Sequence, residues 1–228
     1  MVQILYNIIM KIFRGEIMLE YKTIQGYADT EWEIQKSRFI SYINHVETEE
    51  QAQDFINKIK KKHFDARHNC YAYILGEHSD IQKSSDDGEP SGTAGVPILE
   101  VLKKNELSDV VIVVTRYFGG IKLGAGGLIR AYGKSATLGI DASTVVKKSI
   151  FNCYELSLDY SLLGTLENYL HQNEIRIKDK NYTDKVDINI LLPQNDSENI
   201  LNDITNLSAA RCKITKLDTV YINIPIKK

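Results

Sequence analysis

The stretch Val110 to Phe118 constrains this chain most, because it is apolar on both faces and lacks the alternation of a half-exposed strand. A strand of that kind is buried on both sides, so it belongs at the centre of a sheet. Gly119 and Gly120 turn the chain after it, and Gly126 and Gly127 precede a helix expected from Leu128 to Leu138. Upstream, the pattern predicts strands over 23–29 and 32–46, joined by a polar turn. Thr48-Glu49-Glu50-Gln51 is a capping box, followed by Ala52, Phe55, Ile56 and Ile59 at helical spacing. Lys60-Lys61-Lys62 then suits the negative end of that helix dipole. A further strand is expected over 69–75. Period two places His68, Cys70, Ala72 and Ile74 on its core face and Asn69, Tyr71 and Tyr73 on the other. Residues 82–95, dense in Ser, Asp, Gly and Pro, read as a polar loop. Pro97 suits the first turn of a helix carrying Ile98, Leu99, Val101 and Leu102.

A second pattern follows residues 141–148, which read as a link. Strands are expected over 153–160, 175–182, 186–192 and 212–226, with helices over 162–170 and 199–207. That β-α-β-β-α-β order is the ferredoxin-like split βαβ arrangement. The expected class is therefore α+β in two domains, 18–145 and 150–228. A chain of 228 residues accommodates two such units, and 43% apolar with 25% charged residues lets each bury a core.

Residues 1–17 are expected to be a translated leader. Arg14-Gly15-Glu16 is encodable as a purine-rich ribosome-binding sequence just upstream of Met18. The apolar run Val2 to Phe13, interrupted by Gln3, Asn7 and Lys11, is too short to span a bilayer and lacks the flanks of a signal peptide. No membrane partner is expected. Cys70, Cys153 and Cys212 are far apart and form no CxxC pair, which points to reduced thiols in a cytoplasmic protein.

The net charge of -2 gives no gross attraction to nucleic acid, so any basic site is a local patch. Such a patch is visible. Between Val110 and Ile140 stand Arg116, Lys122, Arg130 and Lys134 and no Asp or Glu. Glycines Gly119, Gly120, Gly126 and Gly127 let a backbone approach an anion, and a following helix start presents free N–H groups. Tyr117, Tyr132 and Tyr71 are candidates for base stacking. The alternative is a glycine-rich turn needed only for strand–helix packing, with Arg116 paired to Asp86 or Asp87.

The loop Asp86 to Gly95 also reads two ways. Asp86, Asp87 and Glu89 supply oxygen ligands, and Ser91 and Thr93 sit where a phosphate is cradled. The simpler reading is a self-bonded loop whose acids cap amides or pair with arginines, with no metal and no cofactor. His68 and Cys70 share a strand face as nucleophile and base would, yet no orienting carboxylate is identifiable, and a buried structural thiol is commoner.

Three segments, 68–73, 86–95 and 115–132, closely resemble in order and spacing the signature of the YigZ/IMPACT family, and the tail resembles the second domain of its bacterial members. The resemblance implies a ribosomal protein S-five domain-two-like first domain, a fold shared with domain four of elongation factor G. It implies a ferredoxin-like second domain similar to the last domain of that factor. It carries no catalytic residue. The expected function is a non-enzymatic binding protein that contacts RNA or the ribosome in the regulation of translation. The alternatives are an enzyme acting on a phosphate-bearing small molecule through the Asp87/Glu89 loop, or a regulator with a protein partner. A closed pocket in which His68, Asp87, Glu89 and Arg116 converge favours the enzyme; an open basic face favours binding.

Overall fold

The structure, a computed structural model, describes residues 20–226; the expectation of a leader over 1–17 lies outside them. The described residues up to Lys148, with Asn223 onward, form one compact unit, and Ser149–Ile222 form a second.

The first unit is built on a five-stranded antiparallel sheet in the order β2-β3-β6-β4-β5. Its strands are β2 (Tyr27–Ile34), β3 (Ser37–His45), β4 (His68–Leu75), β5 (Ile81–Ser85) and β6 (Val110–Tyr117). β6 is central, as its two apolar faces require. Val110, Ile112 and Val114 enter one core, and Val111 and Val113 enter another. The first core is closed by Ile98 and Leu102 of α2 (Gly95–Lys104) and by Leu128, Tyr132 and Ala136 of α3 (Gly124–Ala142). The second is closed by Ala52, Phe55, Ile56 and Ile59 of α1 (Glu49–Lys62). The Thr48 hydroxyl caps α1 by accepting the Gln51 amide at 3.2 Å. A short strand β1 (Tyr21–Ile24) pairs antiparallel with residues 145–148.

Several boundaries differ from expectation. The turn between the first long strands falls at Gln35-Lys36, not near 30–31, and both residues have positive φ, 46° and 62°. Thr30 and Glu31 are not turn residues: β2 alternates exposed and half-buried positions, so its acids occupy the outward face. The sequence break instead comes at Gly26, between β1 and β2. Both faces of β4 are buried, with Tyr73 and Leu75 in the α1 core and Cys70, Ala72 and Ile74 in the other. The first part of the polar loop pairs with β4 as the edge strand β5. Helix α3 begins at Gly124, so Gly126 and Gly127 lie inside its first turn. Of residues 141–148, read as a link, the first two end α3 and the last four begin β7 (Val145–Leu158).

In the second unit β7 continues into α4 (Tyr160–Gln172), β8 (Arg176–Tyr182), β9 (Val186–Pro193), α5 (Ser197–Leu207) and β10 (Lys213–Pro225). β7 pairs with β9, β9 with β8, and β10 with β7, which is the split βαβ sheet. Leu156, Leu158, Ile188 and Ile190 of the sheet pack with Leu162, Leu166 and Leu170 of α4 and Ile204 of α5. The chain is thus α+β in two units.

Candidate phosphate-binding site at the start of helix three

Side chains alternate along β6, so Arg116 follows Val114 onto the α2/α3 face while Tyr117 points to the α1 face. Arg116 is 6% exposed. Its guanidinium lies between the rings of Phe39 and Phe118, at 5.5 and 5.6 Å from their centroids. Nη1 donates to Glu89 Oε1 at 2.7 Å, and Nη2 donates to the Ser37 hydroxyl at 3.4 Å. The Tyr132 hydroxyl of α3 donates to the same Glu89 oxygen at 2.8 Å. Burial pushes the Tyr132 phenol well up, helped by the neighbouring Cys70 and Glu89, so it remains a proton donor. Glu89 therefore ties the 86–94 loop to the sheet and to α3.

The other acids of the loop serve the loop. Asp86 accepts the amides of Gly92 at 2.8 Å and of Ala94 and Gly95 at 2.9 Å, which caps the start of α2. Burial alone would raise its carboxyl; the amides of Gly92, Gly95 and Ala94 outweigh that and hold it below the usual carboxylate range. Asp87 accepts Lys60 Nζ at 2.6 Å and the Asn69 amide at 2.7 Å. Thr93 donates to the Pro90 carbonyl at 2.7 Å, while Ser91 is exposed. Cys70 Sγ donates to the Asp86 carbonyl at 2.9 Å, and His68 Nδ1 lies 3.0 Å from the Asp87 carbonyl. Burial pushes the Cys70 thiol up, away from a reactive thiolate. Among the described residues, no three His, Cys, Asp or Glu side chains gather as a metal site.

Between this loop and the start of α3 lies a cavity of about 300 Å³. Arg67, His68, Glu89, Arg116, Phe118 and Lys122 line it, as do Leu123, Gly124 and Ala125 at the helix start. That start has no side-chain cap and no acid in its first turn. Its amides and the helix dipole consequently make the cavity hospitable to an anion. His68, Glu89 and Arg116 thus converge on one pocket, while the Asp87 carboxylate is held by Lys60 and Asn69.

The structure separates residues that the sequence placed together. Arg116 is not a surface cation: its partner is Glu89, not Asp86 or Asp87. Tyr132 is fully buried and unavailable for stacking. Tyr71 and Tyr117 pack against the α1 core, on the sheet face opposite to Arg116. There Tyr117 donates to Asp65 at 2.9 Å and lies 2.9 Å from His63 Nδ1, while Tyr71 stacks on Tyr73. Lys122 stands at the cavity, whereas Arg130 is exposed farther along α3.

The glycines also divide. A Cβ on Gly119 would lie 1.9 Å from the Lys36 carbonyl oxygen, so packing against the β2–β3 turn demands this glycine. Gly120 has φ +87°, and Gly127 would press on Leu123 at 3.1 Å, but nothing lies within 4 Å of a Cβ on Gly126. Arg67 and Phe118 line the cavity without a binding signal of their own in the sequence. Arg67 is a lone cation adjoining the segment 68–73, and Phe118 is an apolar ring within 115–132 at the end of the central strand.

Comparison with known proteins fits this architecture. The model of the Impact N-terminal domain matches residues 35–140, and that of a domain of unknown function (DUF1949) matches 156–211. The chain is 46% identical over 202 residues to the IMPACT family member YvyE of Bacillus subtilis, covering 89% of this chain and 93% of that protein. It is 39% identical over 163 residues to the IMPACT family member YigZ of Escherichia coli, covering 71% and 80%. A crystal structure of a hypothetical protein, 31% identical, superposes with a TM-score of 0.57 over 89% of this chain and 99% of that one. With both domains matched and relatives aligned over most of their length, this chain belongs to the IMPACT family.

Proposed function

We propose that this chain is a non-enzymatic binding protein whose first unit contacts RNA, free or on the ribosome, and acts there in the regulation of translation. One observation carries the reading: a concave surface lined by Arg67, Arg116 and Lys122 opens at a helix start that has neither a side-chain cap nor an acid. Cations and free amides together suit phosphate, and Phe118, 53% exposed at the same cavity, offers a face for a base. The deciding experiment is a salt titration of RNA binding by wild type and Lys122→Ala, with retention on ribosomes measured in parallel. Affinity should fall steeply with salt, and removing Lys122 should lower the slope by about one unit. An absence of affinity at low salt together with no ribosome retention would refute the reading.

An enzyme acting on a phosphate-bearing small molecule is the second reading, favoured by the convergence of His68, Glu89 and Arg116 on one cavity. Against it, Glu89 is held by Arg116 and Tyr132, and the Cys70 thiol is buried and bonded to the loop backbone. Release of inorganic phosphate from nucleotides by the purified protein, abolished in Glu89→Gln, would favour this reading over binding.

A further inference from the structure

We propose that the cavity at the start of α3 receives the terminal nucleotide of an RNA strand, with its phosphomonoester against Arg116, Lys122 and the first amides of the helix and its base on Phe118. The proposal rests on the RNA reading above and adds that an end of the strand, not its middle, is recognised.

Shape is the first argument. The cavity, about 300 Å³, lies at the lower limit of small-molecule pockets. Arg116 contributes to its wall although the residue is only 6% exposed. A phosphodiester within a strand carries a nucleoside on each side, and both must leave the cavity again. A terminal phosphate carries one, so it reaches a recessed guanidinium with less obstruction.

Charge is the second. Glu89 already balances Arg116. Arg67 and Lys122 are exposed and have no carboxylate partner among the described residues. The helix start adds roughly half a positive charge. A terminal monoester, at roughly −1.5 to −2 near neutral pH, matches that excess better than a diester, which carries a single negative charge.

The third argument comes from an unsatisfied donor. Nη1 and Nη2 of Arg116 have partners, but its buried Nε–H has none among the described residues. Buried charged donors are nearly always paired, so this Nε–H is a donor in want of an acceptor, on a residue that helps to form the cavity wall. The Glu89 carboxylate also lines the cavity, but Arg116 and Tyr132 both donate to its Oε1.

The test compares one short single-stranded oligoribonucleotide with and without a terminal phosphate, by fluorescence anisotropy with the full chain. The terminal phosphate should tighten binding about tenfold or more. A nucleoside monophosphate should compete with the phosphorylated strand, and the bare nucleoside should not. Lys122→Ala and Arg67→Ala, both exposed positions, should each remove most of the advantage while leaving the melting temperature unchanged. Equal, salt-sensitive affinity for the two strands would overturn the end site and leave the RNA reading standing. Binding of neither strand would overturn both, and if the monophosphate alone bound, the small-molecule reading would replace them.

Discussion

Arg116 donates to Glu89 across 2.7 Å, with only 7% and 4% of the two side chains exposed. A charge pair this deep stabilises the native state only while both partners are present, because either one alone is a desolvated charge. Arg116→Met and Glu89→Ala should each destabilise the protein by about 3–5 kcal/mol. Glu89→Gln, which keeps an acceptor for Tyr132 and Arg116, should cost less. Urea unfolding of the three variants checks the order; equal losses for Gln and Ala would show that the hydrogen bonds accepted at position 89 contribute nothing beyond the lost charge.

Gly119, in the turn after β6, and Gly126, inside α3, should behave oppositely. Gly119→Ala forces a methyl group into the Lys36 backbone, so it should lower stability and displace the turn. Gly126→Ala meets open space inside a helix and should raise stability by up to about 1 kcal/mol. If Gly126 serves close approach of a phosphate, the same change should weaken RNA binding. Thermal melts and binding isotherms of both variants separate packing from contact.

The acidic loop should not respond to metal. Asp86 is occupied by three amides, Asp87 by Lys60 and the Asn69 amide, and Glu89 by Arg116 and Tyr132. Mg²⁺ or Mn²⁺ should leave the melting temperature unchanged, and a rise abolished by Asp87→Asn would establish a cation site instead. Asp86→Ala should cost about 1–2 kcal/mol by uncapping α2.

His63 should give stability a pH dependence. Tyr42 Oη lies 2.6 Å from its Nε2, and its Nδ1 lies 2.9 Å from the Tyr117 oxygen, an arrangement a neutral ring satisfies with one proton on Nδ1. Burial, assisted by Lys62, holds its pKa below the ordinary value. The unfolded chain therefore takes up the proton first as pH falls. The stabilisation is fully present above about pH 6.5 and is lost progressively below it, down through the folded-state pKa. Denaturant midpoints of wild type and His63→Phe across this window should show a shallower slope in the variant; identical slopes would remove His63 from the account.

The fragment Ile150–Lys228 should fold by itself. Its strands β7, β8, β9 and β10 with α4 and α5 complete a split βαβ set, and its core draws on residues of that fragment alone. Circular dichroism with a cooperative melt is the check, and a noncooperative, coil-like spectrum would reject this boundary.

Local periodicity by itself determined most of the strands and helices, but not the edge strand β5 inside the polar loop or the second buried face of β4. Val110 to Val114 can feed two cores only from the middle of a sheet, and the order of elements after Cys153 admits the split βαβ arrangement. The same parity put Arg116 with Val114. What periodicity does not carry is the distance between segments remote in the chain. That Arg116 meets Glu89 and not Asp86 depends on how the 86–94 loop closes, and that closure is set by the amides which Asp86 collects. Adjacent residues Arg116 and Tyr117 end on opposite faces of a covered sheet, so a list of nearby cations and aromatics overstates what one ligand can touch. Gly119 is required by Lys36, a neighbour supplied by another hairpin, while Arg67 reaches the cavity from the segment before β4. Those proximities arise from strand pairing and helix packing over the sheet, and only the tertiary structure decides them.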